Sequence, residues 1–164
     1  MTSSALTTEP MGGADRAALT LRRLELADMD AAARVHRTAF DAALPWLAGL
    51  HTPDQDRWFY RERMFSSCAL WGAFAESGMI GVIAFRKDWI DQLYVLPGAQ
   101  GHGAGSALLQ IAKGSLDRLQ LFTFQRNTRA RGFYEARGFR LVAETDGADN
   151  EEKEPDALYL WTRG

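Results

Sequence analysis

Residues 91–109 read DQLYVLPGAQGHGAGSALL, and the rest of the chain is arranged around that stretch. It opens with apolar residues two apart, Leu93 and Val95, and turns at Pro97-Gly98. It then runs through Gln100-Gly101-His102-Gly103-Ala104-Gly105 and takes up a helical pattern from Ser106. A strand, a glycine loop and a helix in that order let backbone hold an anion. Glycines admit positive φ and let a ligand come close to the main chain. The first turn of a helix offers unpaired N–H groups and a partial positive charge. A phosphate-bearing ligand is the expected guest.

Spacing sorts the glycine loops. The dinucleotide pattern G-x-G-x-x-G accepts Gly101 and Gly103 but meets Ser106 at its third glycine. The P-loop pattern needs a lysine after its last glycine, and none follows here. The pattern that fits is Q-x-x-G-x-G, from Gln100 to Gly105, after a strand ending Val-Leu-Pro. Taken alone, such a loop is also how an ordinary turn before a helix reads. A second segment, Asn127–Phe139, reads NTRARGFYEARGF. On a helix, Asn127, Ala130 and Tyr134 share one face, with about 10 Å between the ends. Asn127 suits an N-cap and Gly138 a C′ stop. In this order, the two segments resemble the acetyl-CoA pyrophosphate loop and the N-x-x-A-x-x-F-Y-E-x-x-G-F signature of the GNAT acetyltransferases. The resemblance extends from Leu19 to Arg163 and is sharp only between Asp91 and Phe139.

The resemblance implies an α/β fold with a central mixed sheet flanked by helices. It also implies acetyl-CoA as acyl-donor cosubstrate, no metal, and direct transfer to an amine in a ternary complex. Gln100, Gly101, His102, Gly103, Ala104, Gly105 and Ser106 would cradle the pyrophosphate. Leu93 and Val95 would pair with the pantetheine arm like an added strand, and the Leu93 N–H would polarise the thioester carbonyl. Asn127 would bond the arm, and Ala130 would keep that face low. Tyr134 would protonate the departing thiolate, since a phenol with an ordinary pKa near 10 carries its proton at neutral pH. An amine with pKa near 10.4 costs roughly 4–5 kcal/mol to deprotonate at neutrality, so a base would help. Asp91 is the candidate: strict alternation places it on the face of Leu93 and Val95 unless a bulge shifts it. A solvated strand-end carboxylate is the competing reading. Trp89 and Gln92 are candidates to line the same pocket.

Composition sets wider bounds. At 164 residues, 46% hydrophobic and 24% charged, the chain reads as one globular domain, 18–164, after a disordered tail, 1–17, rich in Ser, Thr, Gly and Ala. A net charge of −2 gives no sign of nucleic-acid binding. One cysteine, Cys68, excludes an internal disulfide and suits a small buried hydrophobe. No secretory leader or membrane-spanning run is evident, so the expectation is a cytoplasmic protein without membrane contacts. The resemblance allows a homodimer.

The predicted order is β-α-α-β-β-β-α-β-α-β-β. Leu19–Leu26 alternates as a first strand. Asp28 is a candidate cap for a helix with Met29, Ala33, His36, Phe40 and Leu44 on its apolar side. Thr52-Pro53-Asp54-Gln55 is a capping box opening a helix to Phe65. Ser77-Gly78 turns a hairpin between Cys68–Glu76 and Met79–Phe85. Trp89–Leu96 feeds the glycine loop, followed by a helix with Leu108, Ile111, Ala112, Leu116 and Leu119. Strands at Leu119–Phe124, Phe139–Glu144 and Ala157–Trp161 complete the pattern.

Charge bears on the partners. Arg126, Arg129, Arg131 and Arg137 crowd the Asn127 helix and read either as a solvated face or as contacts for CoA phosphates. Glu144 to Asp156 holds seven acids against one lysine, which favours solubility or a cationic acceptor. His51, Trp46 and Trp58 lie where acceptors enter in the family, although a lone His there is more often a surface residue. His36 reads as a core or boundary residue. The acceptor expected is a small-molecule or peptide amine: polyamine-like, amino-sugar-like, or a protein lysine or N-terminus. Two other readings stay open. One is an acyl-CoA-binding sensor that does not turn the cofactor over, and the other a generic mononucleotide-binding domain.

Overall fold

The computed structural model describes residues 19–164. The expected 1–17 tail lies outside the described residues. Seven strands form one mixed sheet: β1 Thr20–Arg23, β2 Ala69–Ala75, β3 Gly78–Arg86, β4 Trp89–Val95, β5 Arg118–Phe124, β6 Arg140–Thr145 and β7 Asp156–Thr162. Their order is β1-β2-β3-β4-β5-β7-β6. All neighbours are antiparallel except β4 and β5, which are parallel and register only at Trp89 opposite Gln120. Among the described residues the sheet is flanked by helices α1 Met29–Ala43, α2 starting at Pro53–Trp58, α3 Ala104–Ser115 and α4 Thr128–Glu135. The sheet is the central mixed sheet expected, and the element order is the predicted one.

Alternation along the strands gives the sheet two apolar faces. Ile83 and Phe85 join Leu108, Leu109 and Ala112 of α3 and Tyr134 of α4 in one cluster. Val82 and Ala84 pack on the other side with Met29, Ala32, Ala33 and Val35 of α1 and with Tyr60 and Met64 of α2. Each fully buried leucine or isoleucine in such a core contributes roughly 1.5–3 kcal/mol.

Several boundaries differ from the sequence expectation, each for a local reason. The first strand stops at Arg23, and Leu26–Asp28 forms a 3-10 turn. Asp28 does not cap α1. Its carboxylate accepts from Arg22 at 2.8 and 2.9 Å and from the Glu25 amide at 2.8 Å, which turns it back toward that 3-10 turn. The capping box is present: Thr52 Oγ1 accepts from Gln55 N–H, and Gln55 Oε1 accepts from Thr52 N–H. The α2 helix runs past Phe65 to Ser67 through a π-helical stretch, Phe59–Met64, that buries Tyr60 and Met64. Such stretches shift side chains around the axis and recur at functional sites. Leu116 closes α3 in extended backbone, so Leu116 and Leu119 belong to the turn and to β5. The α1 and α2 helices are tied by Arg37, which donates to both oxygens of the buried Asp56 at 2.8 Å.

Candidate active site

The strand feeding the glycine loop holds its backbone open. Leu96 N–H donates to Ile80 C=O at 2.8 Å, and the β3/β4 register pairs Val82 with Tyr94 and Ile83 with Leu93. In an antiparallel pair, alternate residues exchange both hydrogen bonds. Tyr94 and Gln92 therefore bond to β3, while the N–H and C=O groups of Leu93 and Val95 point toward β5. Beyond Trp89, β5 is no longer in register with β4. The two strands splay, and the Leu93 and Val95 amides face a cleft of about 1220 Å³. The Val95 carbonyl accepts from Gln100 Nε2 at 3.0 Å, which fastens the loop to the strand.

The loop then delivers amides to the same cleft. Gly101 and Gly103 take φ of 82° and 94°, the left-handed region that favours glycine. Gly103 is the N-cap of α3, no side chain caps it, and the first helical bond runs from Ala107 N–H to Gly103 C=O. The amides from Gly103 to Ser106 thus have no helical partner, which is the arrangement that binds anions. Gln100, Gly101, Gly103, Gly105 and Ser106 line the cleft. His102 is exposed and does not line it, and Ala104 turns its methyl into the core, so it can offer only its amide.

Arg137 adds a cation that the sequence did not single out from its neighbours. Its Nε and Nη2 donate to Ser106 Oγ at 2.9 and 2.6 Å, and its guanidinium lies 3.8 Å from the Phe133 ring centre. It lines the cleft beside the free amides, as do Arg126 and Arg129. Arg131 is committed elsewhere, donating to the Tyr159 hydroxyl and to Glu144 at 2.9 Å each.

The opposite wall is α4. Asn127 Oδ1 accepts from Ala130 N–H at 3.2 Å, the predicted cap, and both residues line the cleft. Gly138 has φ of 87°, and Phe139 N–H donates to Tyr134 C=O, closing the helix. Tyr134 is buried between Phe133 and Phe139, with ring centres at 5.2 and 5.3 Å. Its hydroxyl makes no hydrogen bond among the described residues, yet it is not among the sealed, unpaired side-chain atoms, so it opens to the cleft. Burial, and then the neighbouring Tyr94, push its pKa well above that of an ordinary phenol.

The face of Asp91 needs correction. Gln92 pairs with Ala84 and Ile90 with Phe85, so β4 carries one extra residue there, a bulge at Asp91. The bulge takes Asp91 off the face of Leu93 and Val95. Its carboxylate accepts from Arg86 Nε at 3.1 Å and Cys68 Sγ at 3.4 Å, on the side of α1 and α2. Burial and the Asp91 charge push the Cys68 thiol up to about 11, which keeps it protonated. Gln92 lines the cleft, but Trp89 does not: it stacks on Phe122 with ring centres 5.7 Å apart.

A second cavity, of about 590 Å³, adjoins the cleft and shares Phe40, Asp91, Gln92, Tyr94, Phe122, Phe124 and Glu152 with it. His36, His51 and Trp58 line it. His36 stacks on Tyr94 at 4.2 Å, and its Nδ1 is 2.7 Å from the Tyr60 hydroxyl. Burial lowers its pKa to about 4, with Arg37 adding to the effect. His51 Nε2 lies 3.1 Å from Glu151. Trp46 instead carries the Arg126 guanidinium at 3.9 Å from its ring centre. The acidic connection is partly structural: Glu144 meets Arg131, Glu154 meets Arg126, and Asp156 accepts from Thr145 and Asn150. Asp146, Asp149 and Glu152 face the cleft. Among the described residues, no cluster of His, Cys, Asp and Glu could hold a metal, and no helix is long and apolar enough to cross a membrane.

Comparison with known proteins agrees with this geometry. The model of the acetyltransferase (GNAT) domain matches residues 66–141, a span that runs from the end of α2 through the glycine loop and α4. A probable N-acetyltransferase of Mycobacterium tuberculosis is 33% identical over 86 residues, 47% of this chain and 49% of that protein. The chain thus matches about half the length of that curated relative. The solution structure of apo YjaB from Escherichia coli superposes with a TM-score of 0.74 at 21% identity, covering 89% of this chain and 99% of that one. The PaiA N-acetyltransferase of Thermoplasma acidophilum, solved with coenzyme A, gives a TM-score of 0.63 at 20% identity, over 88% and 98%. Both signature segments lie inside the matched span, so it is over residues 66–141 that the chain belongs to the GNAT superfamily, and its whole fold is shared with such structures.

Proposed function

We propose that this chain transfers the acetyl group of acetyl-CoA to a primary amine by direct attack in a ternary complex. The observation that carries this reading is the meeting of three features in one cleft: free strand amides, free helix-terminal amides and an unpaired phenol. The amides from Gly103 to Ser106, with Arg137, suit a diphosphate. Leu93 and Val95 offer the edge of a strand to an extended pantetheine arm. Asn127, its Oδ1 used in the cap, keeps its amide N–H groups for that arm.

The Leu93 N–H would donate to the thioester carbonyl as charge builds on its oxygen. As the nitrogen–carbon bond forms and the carbon–sulfur bond breaks, Tyr134 would give its proton to the leaving sulfur. Its raised pKa keeps that proton in place until it is needed. Asp91 lines both the cleft and the adjoining cavity, where an amine would enter, and a water between them could carry the amine's proton to its carboxylate. The ammonium form of the acceptor loses two protons on becoming the amide, one to Asp91 before attack and one to solvent after it; solvent restores the phenol, so one proton leaves overall. The acid is what separates this reading from an acyl-CoA sensor, because binding alone has no use for an unpaired phenol. Thiol release tests it: purified protein should liberate CoA from acetyl-CoA only when an acceptor amine is added. Tight acetyl-CoA binding with no acceptor-dependent release would favour the sensor.

A further inference from the structure

We propose that the second cavity selects, as acceptor, an amine bearing one ammonium group on an aromatic or branched apolar body, rather than a polycation. The inference rests on the acetyl-transfer reading above and narrows its substrate. The walls carry it. Phe40, Leu50, Trp58, Phe59, Phe122 and Phe124 line a space whose volume, about 590 Å³, suits a small molecule. Three of these side chains are exposed to an unusual degree for their type: Leu50 at 44%, Trp58 at 56% and Phe122 at 53%. Apolar rings left open around a cavity mark a place where an apolar body can be covered.

The charges on the wall set where the ammonium sits. Asp56 is taken up by Arg37 and Asp91 by Arg86, while Glu151, mostly exposed, lies 3.1 Å from His51 and pairs with it as an ion only when the imidazole is protonated. Arg63 stands at the rim over the Trp58 ring. His36 is held neutral and brings no charge at pH 7. Glu152 lines both cavities and makes no ion pair among the described residues. Tyr94 lines both cavities as well, so the two residues share their junction. Of the carboxylates that line the second cavity, Glu152 is the one with no basic side chain within ion-pair distance among the described residues, and it can hold one ammonium, with nitrogen toward the thioester end and the body among the aromatic rings. Further cationic groups on the same ligand would sit among apolar rings beside Arg63, at a desolvation cost.

Initial rates of acetyl-CoA-dependent thiol release should be measured with 2-phenylethylamine, tryptamine, spermidine, kanamycin and a lysine peptide. The expected result is a kcat/KM for the two aryl amines at least tenfold above the others. Trp58→Ala should raise KM for the aryl amines about tenfold without changing KM for acetyl-CoA. Glu152→Gln should raise KM for every amine. A preference for spermidine, kanamycin or the peptide, or an unchanged aryl-amine KM in Trp58→Ala, overturns the inference and leaves acetyl transfer standing. If no amine releases thiol, quenching of tryptophan fluorescence by each amine in the presence of CoA still decides the matter. Aryl amines that quench wild type and not Trp58→Ala would retain the cavity assignment and remove the reaction. Quenching by spermidine alone, or none, would remove the assignment too.

Discussion

Replacing Tyr134 by Phe removes one oxygen and should leave the rest of the site intact. The ring keeps its edge contacts with Phe133 and Phe139, and the hydroxyl has no hydrogen-bond partner among the described residues to lose. Folding stability should therefore change by less than about 1 kcal/mol. The chemistry should change far more. A positioned general acid contributes roughly 10²–10⁴-fold, or about 3–5 kcal/mol on the barrier. Because the proton moves only as sulfur leaves, kcat and kcat/KM should fall together while acetyl-CoA affinity holds. Thiol release under saturating donor reads the first quantity, and stabilisation of the native state by acetyl-CoA reads the second. The pH profile adds a check. The protonated phenol is the active form, and its pKa lies above the ordinary value, so Tyr134 should cause no loss of kcat up to about pH 9. A full-rate Tyr134→Phe enzyme would remove the residue from the mechanism. A mutant that lost donor binding in proportion to rate would make it a binding residue instead.

The other predictions follow from single contacts. Leu93→Pro removes an N–H that points away from β3 and so costs no ladder bond, yet kcat should fall roughly 10²–10³-fold by thiol release, with an unchanged circular dichroism spectrum. Gly103→Val forces a branched side chain into a left-handed cap, at a cost of about 1–3 kcal/mol, and should weaken acetyl-CoA binding measured by calorimetry. Arg37→Ala strands the buried Asp56 carboxylate and should destabilise the fold by about 3–5 kcal/mol in urea titrations. His36 has a folded pKa near 4 against 6.5 unfolded, so below pH 6.5 the unfolded chain binds the extra proton. Its contribution, about 3 kcal/mol, is intact above pH 6.5 and is lost as pH falls toward 4. His36→Gln should flatten that part of the stability profile.

Much of the fold was legible because local chemistry dictated it. Thr52-Pro53-Asp54-Gln55 can satisfy its own amides, and it does so here. The glycines at 101 and 103 signalled left-handed backbone before a helix, which is where they lie. Asn127 and Gly138 mark the ends of α4 as their cap preferences require. The features that make the site depend on relations between segments. The splay of β4 from β5 is an absence of pairing, and no residue type encodes it. The bulge at Asp91 adds a residue to one strand only, so strict alternation put the carboxylate on the wrong face. Arg137 could not be told from Arg129 or Arg131 until the helix placed it against Ser106. Asp28 was a fair cap by type, but Arg22 and the Glu25 amide claimed its oxygens first.

A crystal structure with acetyl-CoA bound tests the central claim most directly. The diphosphate should lie on the amides from Gly103 to Ser106 with Arg137 beside it. The thioester oxygen should sit within about 3 Å of the Leu93 nitrogen, with the sulfur turned to the Tyr134 hydroxyl. A diphosphate lodged elsewhere, or a sulfur out of reach of that hydroxyl, would contradict the account from the cofactor cradle to the chemistry.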